Sequence, residues 1–241
     1  KAKCGSQVEI DKRIHGRFVS DEGLAYPSLS RAQNIKPKKP LPRNWLFYSG
    51  VDIGSGGPKG HLAAISVVAV RPDFRHGRLV RFWRGARGEY TDTTDILNQH
   101  SLMTRDLNMT ASFYDHASAE FKIRAERLNI PFSMAEKAQE AGKDLLNVLF
   151  KNQILDIDDL EEVDDLAQEF ESLRTQTPKR NAKDDGIDSL RFAISQIPWD
   201  LSGVSGLLVD LVNKGIEKKK NTRHSRDLKD DDQNDYDFYS E

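Results

Sequence analysis

An aspartate lies inside the first of two strongly apolar runs of the sequence. The runs are LFYSGVDIG over residues 46–54 and LAAISVVAV over residues 62–70, and a glycine-rich segment joins them. Their β-branched and aromatic residues predict two neighbouring strands. Because a buried carboxylate without a partner is costly, we expect Asp52 to be neutral, paired or bound to a metal.

The composition limits the class of protein. A chain of 241 residues with 37% hydrophobic residues fits one large domain with appendages, and the net charge of −2 excludes a globally basic nucleic-acid-binding protein but not a local basic groove. The single cysteine, Cys4, excludes an internal disulfide and favours a reducing compartment. No apolar run approaches the roughly 20 residues of a membrane span, and no signal peptide is evident. We therefore expect a soluble intracellular domain with no membrane partner, cut from a longer protein because the chain lacks an initiator Met.

Hydrophobic periodicity predicts the order of the elements. A third strand is expected over 78–86, a short strand over 111–117 and two more over 130–137 and 153–157. Helical spacing covers the segments 94–107, 118–129, 143–152, 161–175 and 184–197. Adjacent strands followed by alternating helices and strands predict an α/β fold, a mixed sheet flanked by helices.

Composition also predicts the domain limits. Residues 1–13 are polar and are expected to form a linker, residues 14–214 the folded domain, and residues 215–241 a charged, disordered tail.

Five aspartates stand out by their position. Asp52 interrupts a strand, Asp115 ends another, and Asp184, Asp185 and Asp188 open the last helix. Asp185 and Asp188 are three residues apart and therefore share a helix face. The helix dipole alone also favours acids at a helix start, and Asp115 is equally well explained as a helix cap. Taken together, the acids suit Mg²⁺ or Mn²⁺, which prefer carboxylate oxygens.

The order of the motifs matches a known pattern. It comprises G-x-F and G-x-x-Y-P before residue 28, D-x-G at Asp52, D-x-x-x-x-E from Asp115 to Glu120, IPF…K ending at Lys137, and D-x-x-D-S-L-R-F-A from Asp185. Over about residues 14–200 the chain resembles the C-terminal nuclease domain of tailed-phage terminase large subunits, which has an RNase H-like fold.

The resemblance implies roles for the acids. Asp52, Asp115 and Asp188 would be catalytic, and together with Asp185 they would bind two Mg²⁺ or Mn²⁺ ions roughly 3.5–4 Å apart. Whether Asp184 or Asp185 faces the metal stays open. His61 would support the metal ligands or lie on a turn surface, and Lys137 would contact a phosphate or only solvent. Glu120 fits the motif but is more often structural in such a helix.

Basic residues are expected to grip DNA phosphates without reading bases. The candidates are Arg78, Arg81, Arg84, Lys179, Arg180 and Lys183, with Arg71, Arg75, His76 and Arg87 close to them in sequence. A solvated hairpin and loop explain the same residues equally well. The glycines from Gly54 to Gly60 lack the G-K-[ST] ending of a phosphate-binding loop, so they are interpreted as a turn that lets DNA approach Asp52.

The function implied by the resemblance is a metal-dependent endonuclease that cuts double-stranded, concatemeric viral DNA during genome packaging. The implied partners are DNA, the ATPase domain of the same full-length chain, the small terminase subunit and the portal or procapsid. The C-terminal tail would dock to the portal or procapsid. The implied location is the cytoplasm of an infected bacterium. Two alternatives remain open: a Holliday-junction-resolvase-like nuclease, and a non-catalytic RNase H-like module that docks to a portal or motor.

Overall fold

The computed structural model describes residues 23–41, 43–54, 61–86, 91–115, 119–135, 139–178 and 182–204. The predicted linker, tail and domain limits lie outside these residues, as do Arg87, Lys137, Lys179 and Arg180. Residues 1–201 form one compact unit that contains every element named below, and residues 202–241 form a second, of which only 202–204 are described.

A mixed sheet dominates the described residues, as predicted. Its strands are β1 (Ile35–Lys36), β2 (Leu46–Asp52), β3 (Ala64–Val70), β4 (Gly77–Arg84), β5 (Met109–Tyr114), β6 (Ser133–Met134) and β7 (Leu155–Asp158), in the order β1-β7-β4-β3-β2-β5-β6. β2, β3 and β4 pair antiparallel, whereas β5 runs parallel to β2 and β7 parallel to β4. The predicted strand over 130–137 is reduced to β6, because Pro131 has no N–H to donate to a neighbouring strand.

Helices cover both faces of the sheet. They are α1 (Arg31–Asn34), α2 (Thr93–Thr104), α3 (Ala119–Arg127), α4 (Gln139–Lys151), α5 (Val163–Ser172) and α6 (Asp185–Ile194). On one face Val51 and Val67 pack with Leu97 and Phe121 of α2 and α3 in a hydrophobic core. On the other face α6 crosses β2 and β3, where Ser66 Oγ lies 2.7 Å from Ser189 Oγ. No helix of the described residues is long and apolar enough to span a membrane.

A glycine in the middle of β2 allows α6 to come this close. A Cβ at Gly50 would overlap the carbonyl oxygen of Ser189 and would lie 2.5 Å from the backbone nitrogen of Ala193. The helix backbone therefore rests directly on the strand that carries Asp52. This contact fixes the first turn of α6 relative to the end of β2.

A buried histidine joins α2 to the sheet. His100 Nε2 lies 2.9 Å from Ser49 Oγ, and burial lowers the pKa of His100 to about 4. Within the described part of the chain Nδ1 has no hydrogen-bond partner. A buried acceptor without a hydrogen-bond partner costs less free energy than a buried N–H without one. The proton is therefore assigned to Nε2, which donates to the serine.

The stability of the fold is expected to fall as the pH drops from about 6.5 towards 4, because unfolding lets His100 take up a proton that burial denies it. At pH 5 the loss from this residue is about 2 kcal/mol. Urea unfolding at pH 7 and pH 5 measures it, with His100→Gln as the control for the other titrating groups. Equal losses in the two proteins would contradict the assignment.

Candidate metal centre

Two of the predicted acids lie side by side at one edge of the sheet. β2 and β5 run parallel, with Val51 opposite Tyr114, and the backbone N–H of Asp115 donates to the carbonyl of Val51 at 3.2 Å. Asp52 ends β2 and Asp115 follows β5, so both are at the carboxyl ends of adjacent strands. The amide of Gly54 donates to Asp52 Oδ1 at 3.1 Å. This turn needs glycine, because Gly54 has a φ of 67° and a Cβ there would lie 2.5 Å from the carbonyl oxygen of His61.

The first turn of α6 brings further acids to the same edge. Asp185 and Asp188 belong to that turn, and Asp184 precedes it. Asp185 is held on both oxygens: His61 Nδ1 lies 2.8 Å from Oδ1, and the amide of Leu62 donates to Oδ2 at 3.1 Å. The residues just before β3 are therefore tied to the start of α6.

Charge repulsion and burial act on the acids together. Burial is the main cause that raises the pKa of Asp52 well above its ordinary value, and neighbouring carboxylates raise it further. Those neighbours are Asp188, Asp185 and Asp115. Burial, with the charges of Asp188 and Asp185, likewise raises the pKa of Asp184 to about 6. A group of acids that raise one another's pKa is typical of a site that holds a cation or performs acid–base chemistry.

The tightest donor group among the described residues consists of His61, Asp184 and Asp185. Each of the three offers a ligand atom within 4.8 Å of the other two. The trio implied by the resemblance, Asp52, Asp115 and Asp188, is not part of this group. Carboxylates with one imidazole are suitable ligands for a divalent cation such as Mg²⁺, Mn²⁺ or Zn²⁺. The residues present therefore fit a metal.

An arginine on the same helix orients Asp188. Arg191 Nε and Nη2 lie 3.1 Å and 2.9 Å from Asp188 Oδ1. Gly142 of α4 makes room for this side chain, because a Cβ there would lie 2.7 Å from Arg191 Cγ. Burial raises the pKa of Tyr26, and the charge of the nearby Asp188 raises it further. Both described bonds to Asp188 end on Oδ1.

A glutamate of α5 reaches the start of α6. Glu169 is only 5% exposed, and its Oε2 accepts hydrogen bonds from the amides of Gly186 and Ile187 at 3.0 Å and 3.3 Å. Its Oε1 forms an ion pair with Arg84 Nη1, and Arg84 Nη2 lies 2.6 Å from Asp165 Oδ2. Burial raises the pKa of Glu169 to about 7 in spite of the arginine.

The predicted DNA-binding arginines are engaged with acids. Arg78 is 8% exposed and forms a bidentate pair with Asp158, with contacts of 3.0 Å and 2.6 Å. Arg81 pairs with Asp106 at 2.6 Å and 2.7 Å.

The sequence neighbours of these arginines are also paired. Arg71 pairs with Asp73, Arg75 with Asp200, and His76 lies 3.4 Å from Asp156. Lys183 is exposed beside Asp184, while Glu120 forms an exposed pair with Arg124. Of the candidates that the structure describes, Lys183 alone is exposed beside the acids.

Solved structures share the fold of this chain. A longer protein, the large terminase of a thermophilic bacteriophage, matches with a TM-score of 0.59 and 14% identity, covering 78% of this chain and 48% of that one. The P22 large terminase nuclease domain matches with a TM-score of 0.52 and 14% identity, over 77% of this chain and 98% of the domain. The large terminase nuclease of thermophilic phage G20c with bound magnesium matches with a TM-score of 0.55 and 12% identity, over 73% of this chain and 98% of that one.

The chain has the fold of a terminase nuclease domain. The nuclease-domain fold accounts for about three quarters of the chain, and the chain spans about half the length of the longer terminase. No protein-family model and no curated protein matches the sequence. The G20c nuclease has also been crystallised with zinc. The predicted resemblance to the RNase H-like terminase nuclease fold is thereby confirmed at the level of fold.

Sequence reasoning missed two residues of this nuclease-domain fold that touch the acid cluster or its helix. Arg191 lies three residues after Asp188, a spacing at which side chains on a helix meet. Glu169 falls between the buried Leu166 and Phe170 of α5. A charged residue on the buried face of an amphipathic helix is the same signal that singled out Asp52.

Proposed function

We propose that this chain is a metal-dependent endonuclease that cleaves double-stranded, concatemeric DNA during the packaging of a viral genome. One observation supports it above the others: five aspartates from three distant parts of the sequence meet at one edge of a sheet with the terminase nuclease fold. Acids in such number would destabilise an edge that served only to support the fold.

The proposed roles follow the positions of the side chains. Asp52, Asp115 and Asp188 are catalytic, and with Asp185 they hold two Mg²⁺ or Mn²⁺ ions. When bound, the ions would activate water and neutralise charge at the scissile phosphate. Asp184 and His61 border the same group, so they take part as further ligands or hold the ligands in place.

The chain's own contacts pre-orient these ligands. Arg191 fixes Asp188 through Oδ1, and His61 with the amide of Leu62 fixes Asp185. Asp52 receives a hydrogen bond from the amide of Gly54. Residues that hold a ligand in position in this way typically raise metal affinity.

Binding of DNA would use phosphate contacts near the acids. Lys183 is the described candidate that lies exposed next to the cluster, and Lys179, Arg180 and Lys137 are proposed to act with it. Arg78, Arg81 and Arg84 would contact phosphate only after giving up their carboxylate partners, so we assign them to the structure around β4 instead.

The remaining partners are inferred from the packaging context of the similar proteins. Since the chain spans about half of the longer terminase, an ATPase domain in the same full-length protein is proposed. Contacts with a small terminase subunit and with the portal or procapsid, and action in the cytoplasm of an infected bacterium, belong to the same proposal.

Supercoiled plasmid incubated with the chain and Mn²⁺ or Mg²⁺ is expected to become nicked and linear, and EDTA is expected to prevent it. Asp115→Asn is expected to slow cutting at least about 100-fold, because it removes one of the charges that hold the metal. Asp159→Asn, an exposed aspartate after β7, is the matched control and should cut like the wild type. A plasmid left intact by the wild type with either metal would favour the non-catalytic docking module.

A further inference from the structure

The first turn of α6 is capped by a residue from another helix. The first amides of an α-helix have no partner within the helix and need an acceptor from elsewhere. Here Glu169 of α5 accepts from the amides of Gly186 and Ile187 at 3.0 Å and 3.3 Å. The cap therefore comes from 17 or 18 residues earlier in the sequence.

The residue in the usual capping position does not cap. Asp184 immediately precedes α6, and aspartate is among the residues most favoured as an N-cap. Among the described residues its side chain nevertheless accepts no capping hydrogen bond from the helix. Instead its carboxylate lies within 4.8 Å of ligand atoms of His61 and Asp185 while the residue is 8% exposed.

Glu169 is itself held in place from both sides. Arg84, the last residue of β4, pairs with its Oε1, so the other oxygen is directed at the amides. A Cβ on residue 186 would lie 2.8 Å from Glu169 Oε2, and Gly186 therefore leaves the room that the carboxylate needs. The sheet, α5 and α6 are joined at this one carboxylate.

We propose that Glu169 is a positioning residue: by capping α6 in place of Asp184, it releases the Asp184 carboxylate to the acid cluster. The inference rests on the proposed function in that the cluster binds a divalent cation. Without Glu169 the amides of Gly186 and Ile187 would lack an acceptor, and Asp184 is the nearest residue of the right type to supply one. If the Asp184 carboxylate accepted hydrogen bonds from these amides, it would no longer be directed at the metal.

Binding of Mn²⁺ to the full chain, measured by electron paramagnetic resonance or calorimetry, tests the proposal. Glu169→Gln leaves one acceptor oxygen, which cannot serve both Arg84 and the two amides. It is expected to weaken Mn²⁺ binding about 10-fold, the loss typical of residues that hold metal ligands in place. Asp165→Asn is the matched control, because it also removes a partner of Arg84 but does not touch α6, and its affinity should stay within about twofold of the wild type.

A double-mutant cycle separates positioning from general damage. In an Asp184→Ala background, Glu169→Gln is expected to have no further effect on Mn²⁺ affinity, since the carboxylate that it would misplace is already absent. The proposal is wrong if the losses of Mn²⁺ affinity caused by Asp184→Ala and Glu169→Gln multiply in the double mutant. It is also wrong if Glu169→Gln binds Mn²⁺ like the wild type. Should Glu169→Gln fail to fold, Glu169→Asp keeps the charge but withdraws it from the amides, and the same outcomes decide.

A readout without metal keeps this inference distinct from the proposed function. The amide resonances of Gly186 and Ile187 are expected to shift more on Asp184→Ala in the Glu169→Gln background, where Asp184 has become the cap, than in the wild type. If the wild type binds no Mn²⁺, the proposed function is wrong, but the amide shifts still show whether Glu169 caps α6. Shifts of equal size in both backgrounds would overturn the capping even if the wild type cleaves DNA.

Discussion

Asp52→Asn is expected to abolish metal-dependent DNA cleavage and, at the same time, to make the metal-free protein more stable. Asparagine keeps the shape of the side chain and its bond to the amide of Gly54, but removes a charge that burial and three neighbouring carboxylates disfavour. The stabilisation is expected to appear as a higher midpoint of urea unfolding at neutral pH, because the removed charge no longer opposes folding. Cleavage is expected to fall at least about 1,000-fold, as is usual when a group at the reacting centre is lost.

The opposite signs of the two effects make the test specific. Plasmid cleavage with Mn²⁺ and urea unfolding with EDTA are measured on the same preparations, next to Asp159→Asn. A variant that loses activity because it is misfolded would also lose stability, whereas the charge argument requires a gain. An Asp52→Asn protein that still cuts, or one that unfolds at lower urea than the wild type, would remove Asp52 from the proposed centre.

Gly50→Ala is expected to cause the largest loss of stability of any single methyl group added to β2. The new Cβ would overlap the Ser189 carbonyl oxygen and approach the nitrogen of Ala193 to 2.5 Å, and both are backbone atoms that no rotamer change can move. The helix must therefore shift away from the strand. We expect a cost of about 3 kcal/mol or more, at the upper end for overpacking.

The same shift is expected to reach the acid cluster. Asp185 and Asp188 move with the first turn of α6, while Asp52 stays with β2, so metal affinity should fall even at temperatures where the variant is folded. Urea unfolding and Mn²⁺ binding measure the two effects. Gly203→Ala is the control, since a Cβ at Gly203 meets no atom of the described residues within 4 Å. A Gly50→Ala protein as stable as Gly203→Ala would contradict the close packing described here.

The central part of the fold could be predicted from strong local patterns in the sequence. The apolar run that became β3 has β-branched residues on both faces, and the last helix has apolar residues at helical spacing from Ile187 to Ile194. Such patterns reflect burial directly, so their type is readable without tertiary information. Two-residue strands such as β1 and β6 carry no such pattern, because neighbouring segments rather than their own residues define them.

The sequence did not predict which acid forms an ion pair with each arginine. The sequence shows that Arg78 and Arg84 are cationic, but their partners Asp158 and Glu169 lie 80 and 85 residues away. Because these partners lie so far away in sequence, the run of arginines did not predict the ion pairs to β7 and α5, and DNA binding by these arginines stays a prediction. The aspartates were easier to recognise, since an acid within an apolar strand is unusual whatever its partner.

The crossing of α6 over β2 has a consequence for the order of events during synthesis. β2 leaves the ribosome before the helix that covers its outer face, which comes more than 130 residues later. Until then one face of the central strands lacks its cover, and the carboxylates at its edge lack those from the last helix. A nascent chain is therefore expected to have no cutting activity until almost the whole domain has been made, which would protect the DNA of a cell that is still producing the protein.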